Sequence, residues 1–212
     1  MLVKDLMQTQ VVSVTSEARV ENVLRTLQRR GIRHLPVIDG GKLTGFISDR
    51  DVKQAMTSAA LSADPRDRER IVERLTAGQI MTRTVVTIGP MFGVEDAGRI
   101  MVMRKISALP VVEGDRLVGI VTETDLLDLF VRALGVLEPS SRVEVVLGEG
   151  APLGAAVQAV EATGARVTSV MTLRDLGGRR EILLRLGTID PRPAVRALEA
   201  AGCSVRDFRG QA

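Results

Sequence analysis

The sequence predicts an α+β protein in which one β-α-β-β-α unit is used twice and a different βαββαβ domain follows. Three observations lead there. Shifted against itself by 74 residues, the chain aligns Met7–Gln54 with Met81–Asp128 without a gap, and fifteen of the 48 paired positions are identical. Within each copy, apolar spacing changes from helical to strand periodicity around an acidic-Gly turn. From Ser141 the repeat stops and the alternation of a half-buried strand begins.

The identical pairs include Met7/Met81, Val11 and Val12/Val85 and Val86, Pro36/Pro110, Gly45/Gly119 and Asp51/Asp125. Each copy opens with a short apolar strand, Val11–Val14 or Val85–Ile88. In the first copy Val20, Val23, Leu24 and Leu27 then recur at 3.6-residue spacing, and Gly31 suits the end of that helix. A strand over Ile32–Ile38, the turn Asp39–Gly40–Gly41 and a strand over Leu43–Ile47 form a hairpin, and a second helix opens at Ser48. The second copy repeats this order, with Glu113–Gly114–Asp115 at its turn and a helix opening at Thr122. One such unit is too small to bury its sheet, so the two are expected to pack together. The expected boundaries are 1–60 and 77–136 for the repeats and 61–76 for a charged helical linker, followed by a connector at 137–140.

The last domain is expected over 141–209. Val143, Val145 and Leu147 alternate with polar residues, Gly148–Gly154 makes a Gly-rich turn, and Ala155–Thr163 reads as a helix. Val167–Leu173 and Ile182–Leu186 form a hairpin around Leu176–Gly177–Gly178. Asp190 as N-cap and Pro191 at the first helical position start a helix whose apolar face is Ala194, Val195, Ala197, Leu198 and Ala201. A strand over Cys203–Phe208 completes the order β-α-β-β-α-β, which is ferredoxin-like.

Composition narrows the function. Hydrophobic residues are 45% and charged residues 26% of the chain, ordinary globular values. The longest uncharged stretches fall short of a membrane helix, Lys4 and Asp5 interrupt any signal-peptide core, and Cys203 has no partner for a disulfide. A cytoplasmic protein without membrane insertion is expected. The net charge of +3 does not point to nucleic acid: in the densest run, Asp64–Arg74, acids and bases alternate as on a solvated helix face. There is no Trp or Tyr, so base-stacking platforms are nearly absent.

The pattern h-x-x-h-P-V, acidic-Gly turn, L-x-G-h-h-S/T-x-x-D resembles the CBS domain, and residues 1 to about 135 resemble its tandem form, the Bateman module. Gly45-Phe-Ile-Ser48-Asp-Arg-Asp51 and Gly119-Ile-Val-Thr122-Glu-Thr-Asp125 are similar to that family's ligand-binding signature. The final domain looks like an ACT domain, whose Pro-Gly cue is displaced here to Pro152-Leu-Gly154, with Gly150 in the same loop. The whole order resembles the AcuB family associated with acetoin utilisation.

Ser48-x-x-Asp51 and Thr122-x-x-Asp125 read first as capping boxes, a hydroxyl and an acid satisfying the free N–H groups of a helix start. The CBS resemblance implies a second use, in which Asp51 and Asp125 accept hydrogen bonds from the hydroxyls of a ribose. Arg33, His34, Arg50 and Lys105 are the candidates for a phosphate, and the first copy is favoured because the second has Ser107, Ala108 and Thr124 where the first has Arg33, His34 and Arg50. Val11, Val12, Ile32, Pro36, Val85, Val86, Ile106 and Pro110 could wall an adenine, or simply be core. No metal site is expected, since His34 is the chain's one histidine. Walker, H-E-x-x-H, G-x-S-x-G and C-x-x-C motifs are absent, so no catalytic residue and no catalytic cofactor are expected.

The expectation is a non-enzymatic regulatory protein sensing AMP, ADP, ATP or an S-adenosylmethionine-like ligand, with a homodimer and a regulated enzyme or transporter as partners. Two alternatives stand beside it: a ligand-free docking module, and an amino-acid sensor acting through the last domain.

Overall fold

The computed structural model describes residues 1–61, 74–148, 150–176 and 179–211. The run Asp64–Arg74 lies outside these residues except for Arg74, as does the hairpin tip Gly177–Gly178. The chain forms two compact units, Met1–Leu126 and Leu127–Ala212, which divide inside a helix.

The first unit contains α1 (Val3–Leu6), α2 (Val20–Arg30), β1 (His34–Asp39), β2 (Lys42–Ser48), α3 (Asp49–Leu61), α4 (Ala77–Ile80), α5 (Val94–Arg104), β3 (Ala108–Glu113) and β4 (Arg116–Thr122). It ends within α6 (Glu123–Ala133). The repeat-related hairpins β1–β2 and β3–β4 are antiparallel, with equivalent register breaks at Val37/Ile38 and Val111/Val112.

The strands expected at Val11–Val14 and Val85–Ile88 reduce to single parallel bridges, Val14 to Val37 and Ile88 to Val111. Pro36 explains the first. Val14 N–H donates to the Pro36 carbonyl (3.1 Å) and Ile38 N–H to the Val14 carbonyl (2.8 Å). The next rung of a parallel ladder would need an N–H at position 36, which proline lacks. Pro110 stops the second strand in the same way, after Ile88 N–H has donated to its carbonyl at 3.1 Å.

Each repeat's core is completed by a helical turn lying before the other repeat. Val20, Val23, Leu27, Leu35, Val37, Ile47 and Val52 bury together with Ala77, against Leu75, Ile80 and Met81. Ile88, Ala97, Met101, Leu109, Val111 and Val121 bury together with Val3, against Leu6 and Met7. Gly45 and Gly119 make room for this: a Cβ at Gly45 would lie 2.2 Å from Met81 Sδ, and one at Gly119 would lie 2.5 Å from Met7 Sδ. The two chain ends of α2 and α5 differ. Gly31 closes α2 at φ +62°, while Lys105 closes α5 at φ +54°, the left-handed region that favours glycine.

The second unit contains β5 (Ser140–Leu147), α7 (Leu153–Glu161), β6 (Val167–Leu176), β7 (Arg179–Leu186), α8 (Arg192–Ala200) and β8 (Ser204–Gln211). The element order is the expected β-α-β-β-α-β. Its sheet runs β6-β7-β5-β8 with every neighbour antiparallel. Alternate residues Val143, Val145 and Leu147 bury against Ala156, Val160, Ala194 and Leu198, so the strand period seen in the sequence is the core face of β5.

Helix α8 starts one residue later than expected. Pro191 is its N-cap and Arg192 its first residue, while Asp190 precedes the cap. The Asp190 carboxylate nevertheless accepts the Arg192 N–H (3.1 Å) and its guanidinium (2.7 Å), which hold it down to about 2. Helix α7 starts at Leu153 with Pro152 as N-cap, two residues ahead of the expected Ala155. That places Gly154 in its first turn and leaves Gly150, at φ +73°, in the preceding turn.

Arg185 points away from that core and is 5% exposed. Its Nη1 donates to Ser140 Oγ at 3.0 Å, and its buried Nε has no partner among the described residues.

Candidate functional site

A cleft of about 420 Å³ opens in the first unit, within the roughly 300–1,000 Å³ of small-molecule sites. Its floor is set by the end of β2 and the first turn of α3. Asp51 Oδ2 accepts Ser48 N–H (2.7 Å) and Ser48 Oγ–H (2.7 Å), and Asp51 N–H lies 3.3 Å from Ser48 Oγ. This is the capping geometry that the spacing predicts. It uses one carboxylate oxygen; Oδ1 has no hydrogen-bond partner among the described residues. The carboxylate therefore lines the cleft with a fixed, free acceptor.

The opposite wall comes from the second repeat: Thr82, Thr84, Val85 and Val86 before α5, then Lys105, Ile106, Ser107 and Ala108 after it. Asp51 thus faces the start of the other copy, and the site is composite. Phe46, two residues before Ser48 on β2, joins it, and its ring stacks on His34 with centroids 5.7 Å apart and planes 13° apart. His34 Nε2 lies 2.9 Å from Ser107 Oγ. Burial, and then the Arg33 charge, hold the imidazole below its ordinary value, against the opposing pull of Asp49, Asp51 and Glu123.

The charges in the cleft are unequally engaged. Asp49 pairs with Lys53 at 2.9 Å, which lowers its pKa, and Asp51 is held by Ser48. Arg33, Arg50 and Lys105 line the same cleft with no carboxylate partner among the described residues, Arg33 donating only to Thr124 Oγ1 at 3.4 Å. These three cations share the cleft with Asp49, Asp51 and Glu123, and the ordered Asp51 beside them suits a ligand with a diol at one end and an anionic group at the other.

Of the residues picked from sequence, Arg33, His34, Ser48, Arg50, Asp51, Val85, Val86, Lys105 and Ile106 line this cleft. Val11, Val12, Ile32, Pro36 and Pro110 do not. Pro36 and Pro110 are buried at the bridges described above, and Ile32 and Val12 pack against the first repeat's core. Thr122 and Asp125 also lie elsewhere and form a second capping box, with Asp125 Oδ2 accepting Thr122 N–H (2.8 Å) and Oγ1–H (2.7 Å). Sequence reasoning missed Phe46, Asp49, Thr82, Thr84, Ser107, Ala108 and Glu123. Strand periodicity could have found Phe46, which shares a face of β2 with Ser48.

No group of three His, Cys, Asp or Glu among the described residues could hold a metal. No helix among them is long and apolar enough to cross a membrane.

A model of the CBS domain matches residues 3–58 and 77–132, more than half of the chain. A CBS domain-containing protein of Dictyostelium discoideum is 34% identical over 142 residues, 66% of this chain and 98% of its own length. The CBS domain-containing protein YhcV of Bacillus subtilis is 32% identical over 124 residues, 58% of this chain and 81% of its own. Among solved structures, the CBS domain pair of protein MJ0100 in complex with 5′-methylthioadenosine and S-adenosyl-L-methionine is similar at TM-score 0.53 and 31% identity, over 61% of this chain and 95% of that one. CBSX2 in complex with AMP is similar at TM-score 0.52 and 26% identity, over 62% and 96%. A Vibrio cholerae protein named for acetoin utilization (AcuB) is similar at TM-score 0.55 and 26% identity, over 65% and 95%.

Proposed function

Because the chain belongs to the CBS-domain family, we propose that it is a non-enzymatic regulatory protein whose composite cleft binds an adenine nucleotide or a related adenosine derivative. The observation that carries this reading is Asp51: Ser48 fixes one of its oxygens, and the other has no partner among the described residues, in a cleft that also holds Arg33, Arg50 and Lys105. A carboxylate so held accepts the hydroxyls of a ribose without reorganising, and the cations meet phosphate. Val85, Val86 and Ile106 supply an apolar wall for the base. Two similar structures, described as complexes with AMP and with S-adenosyl-L-methionine and 5′-methylthioadenosine, support this ligand class.

We read the second unit as a ferredoxin-like, ACT-type domain; the sheet order β6-β7-β5-β8 supports this. Gly150, Pro152 and Gly154 form the loop between its first strand and first helix. A homodimer, a regulated enzyme or transporter, a cytoplasmic location and a link to acetoin or acetate metabolism belong to the same proposal, the last supported by the AcuB likeness.

Calorimetric titration with AMP, ADP, ATP and S-adenosyl-L-methionine tests the reading. At least one should bind, and Asp51→Asn should weaken it tenfold or more. No binding by any of them, or equal binding by Asp51→Asn, refutes it.

A further inference from the structure

We infer that the module takes one ligand per chain, because Gln8 occupies the carboxylate that would make the second site. This rests on the nucleotide reading above.

The 74-residue repeat relates Thr82 to Gln8 and Asp51 to Asp125. Both residues of the first pair are held in place by backbone. Phe46 N–H donates to the Thr82 carbonyl (3.0 Å) and Thr82 N–H to the Phe46 carbonyl (2.9 Å). Gln8 exchanges the same two bonds with Ile120, at 2.9 and 3.0 Å. The side chains then do different things. Thr82 lines the open cleft, and Asp51 Oδ1 has no partner among the described residues. The Gln8 side chain carries its polar end two bonds further from the backbone, and its Nε2 reaches Asp125 Oδ1 at 3.4 Å.

Asp125 therefore has both oxygens engaged, Oδ2 by Thr122 and Oδ1 by Gln8. A primary amide N–H donates to a carboxylate as a ribose hydroxyl does, so Gln8 stands where the sugar would. The charges around it agree. Gly31, Thr124 and Ser107 are the repeat counterparts of Lys105, Arg50 and Arg33, so none of the three cations of the first cleft has a charged equivalent there. Arg33 itself donates to Thr124 Oγ1 at 3.4 Å. The second position is met by the chain's own groups, and an external ligand would have to displace an intramolecular donor while finding little positive charge for its anionic end.

The test uses the full chain with AMP and S-adenosyl-L-methionine as probes. Binding of whichever probe the parent takes should saturate at one per chain, fall tenfold or more in Asp51→Asn and stay unchanged in Asp125→Asn. Gln8→Thr, which installs the residue found at position 82, should add a second site that Asp125→Asn removes again. Two sites in the parent, loss of the single site in Asp125→Asn, or a single site persisting in Gln8→Thr would each overturn the inference. In the ligand-free protein the Gln8 side-chain amide resonances should move in Asp125→Asn and not in Asp51→Asn. Their indifference to Asp125→Asn overturns the plug without touching the nucleotide reading, whereas an empty titration with a responsive Gln8 overturns that reading.

Discussion

His34 and Ser107 are hydrogen-bonded across the two repeats, Nε2 to Oγ at 2.9 Å, one at the start of β1 and the other just before β3. The repeat pairs His34 with Ala108 and Arg33 with Ser107, so this bond breaks the internal symmetry at the wall of the cleft.

His34 makes stability depend on pH. Its imidazole is held below its ordinary value of 6.5, first by burial and then by Arg33. The folded state therefore binds that proton less readily than the unfolded chain. Its contribution is complete above the unfolded value and is lost as pH falls from about 6.5 through the lowered folded value. Melting followed by circular dichroism between pH 5 and 8 should show a midpoint that rises with pH, with a shallower slope in His34→Gln. An unchanged slope in that variant removes His34 as the cause.

Lys105→Gly should separate stability from binding. The left-handed backbone at φ +54° costs a lysine about 1 kcal/mol, and glycine about nothing. Allowing for the larger unfolded-state entropy of glycine, a gain of roughly 0.5 kcal/mol is expected in denaturant titration. The same change should weaken an anionic ligand severalfold while leaving an uncharged nucleoside alone. A destabilised protein, or equal weakening of both ligands, contradicts this.

Gly119→Ala should be more damaging than Gly45→Ala. Each new methyl meets a methionine, but at Gly119 it also lies 3.1 Å from the Gln8 carbonyl, a backbone atom that cannot swing away. Losses of about 1–3 kcal/mol are expected, larger at Gly119 by denaturant midpoint. The reverse order would mean that Met81 is the less adaptable of the two methionines.

Val3→Ala should cost about 1.5–3 kcal/mol, although Val3 lies almost at the amino terminus. Val3 is fully buried among Ile88, Ala97, Met101 and Leu109. Hydrogen exchange should localise the loss to the second repeat. Faster exchange confined to residues 20–52 would place Val3 in the wrong core.

Arg185 is a buried cation whose Nη1 donates to Ser140 Oγ and whose Nε has no partner among the described residues. Ser140→Ala should cost about 1–3 kcal/mol by stripping a charged donor of its acceptor. Arg185→Met should be near neutral or stabilising, because it removes the desolvated charge altogether. A large loss in Arg185→Met would show that the guanidinium, and not its methylene stem, holds that face of the sheet.

Sequence pattern revealed what is local. The capping boxes at Ser48 and Thr122 and both hairpins depend on residues within a few positions of one another, and the structure has them. The strands expected at Val11–Val14 and Val85–Ile88 failed because apolar runs say nothing about a partner's missing N–H at Pro36 or Pro110. The cleft was only half legible. Its acid and cations could be picked by type, but an internal alignment does not say which copy's wall faces which copy's carboxylate, so Val85 and Val86 could not be preferred to Val11 and Val12 beside Asp51. Gln8 was invisible for the same reason: its effect lies 117 positions away, at Asp125.

The exchange of Val3 and Ala77 between the two cores means that the order of the repeats along the chain is not the order in which their interiors are made. Neither repeat cut out at its own sequence boundary carries all of its own wall. A single chain closes both interiors by reaching back on itself, and two chains could close all four by trading amino-terminal turns, with the same contacts in either case. The choice between one chain and an interlocked pair then falls to concentration and to chain entropy, not to the chemistry of any residue in the cores.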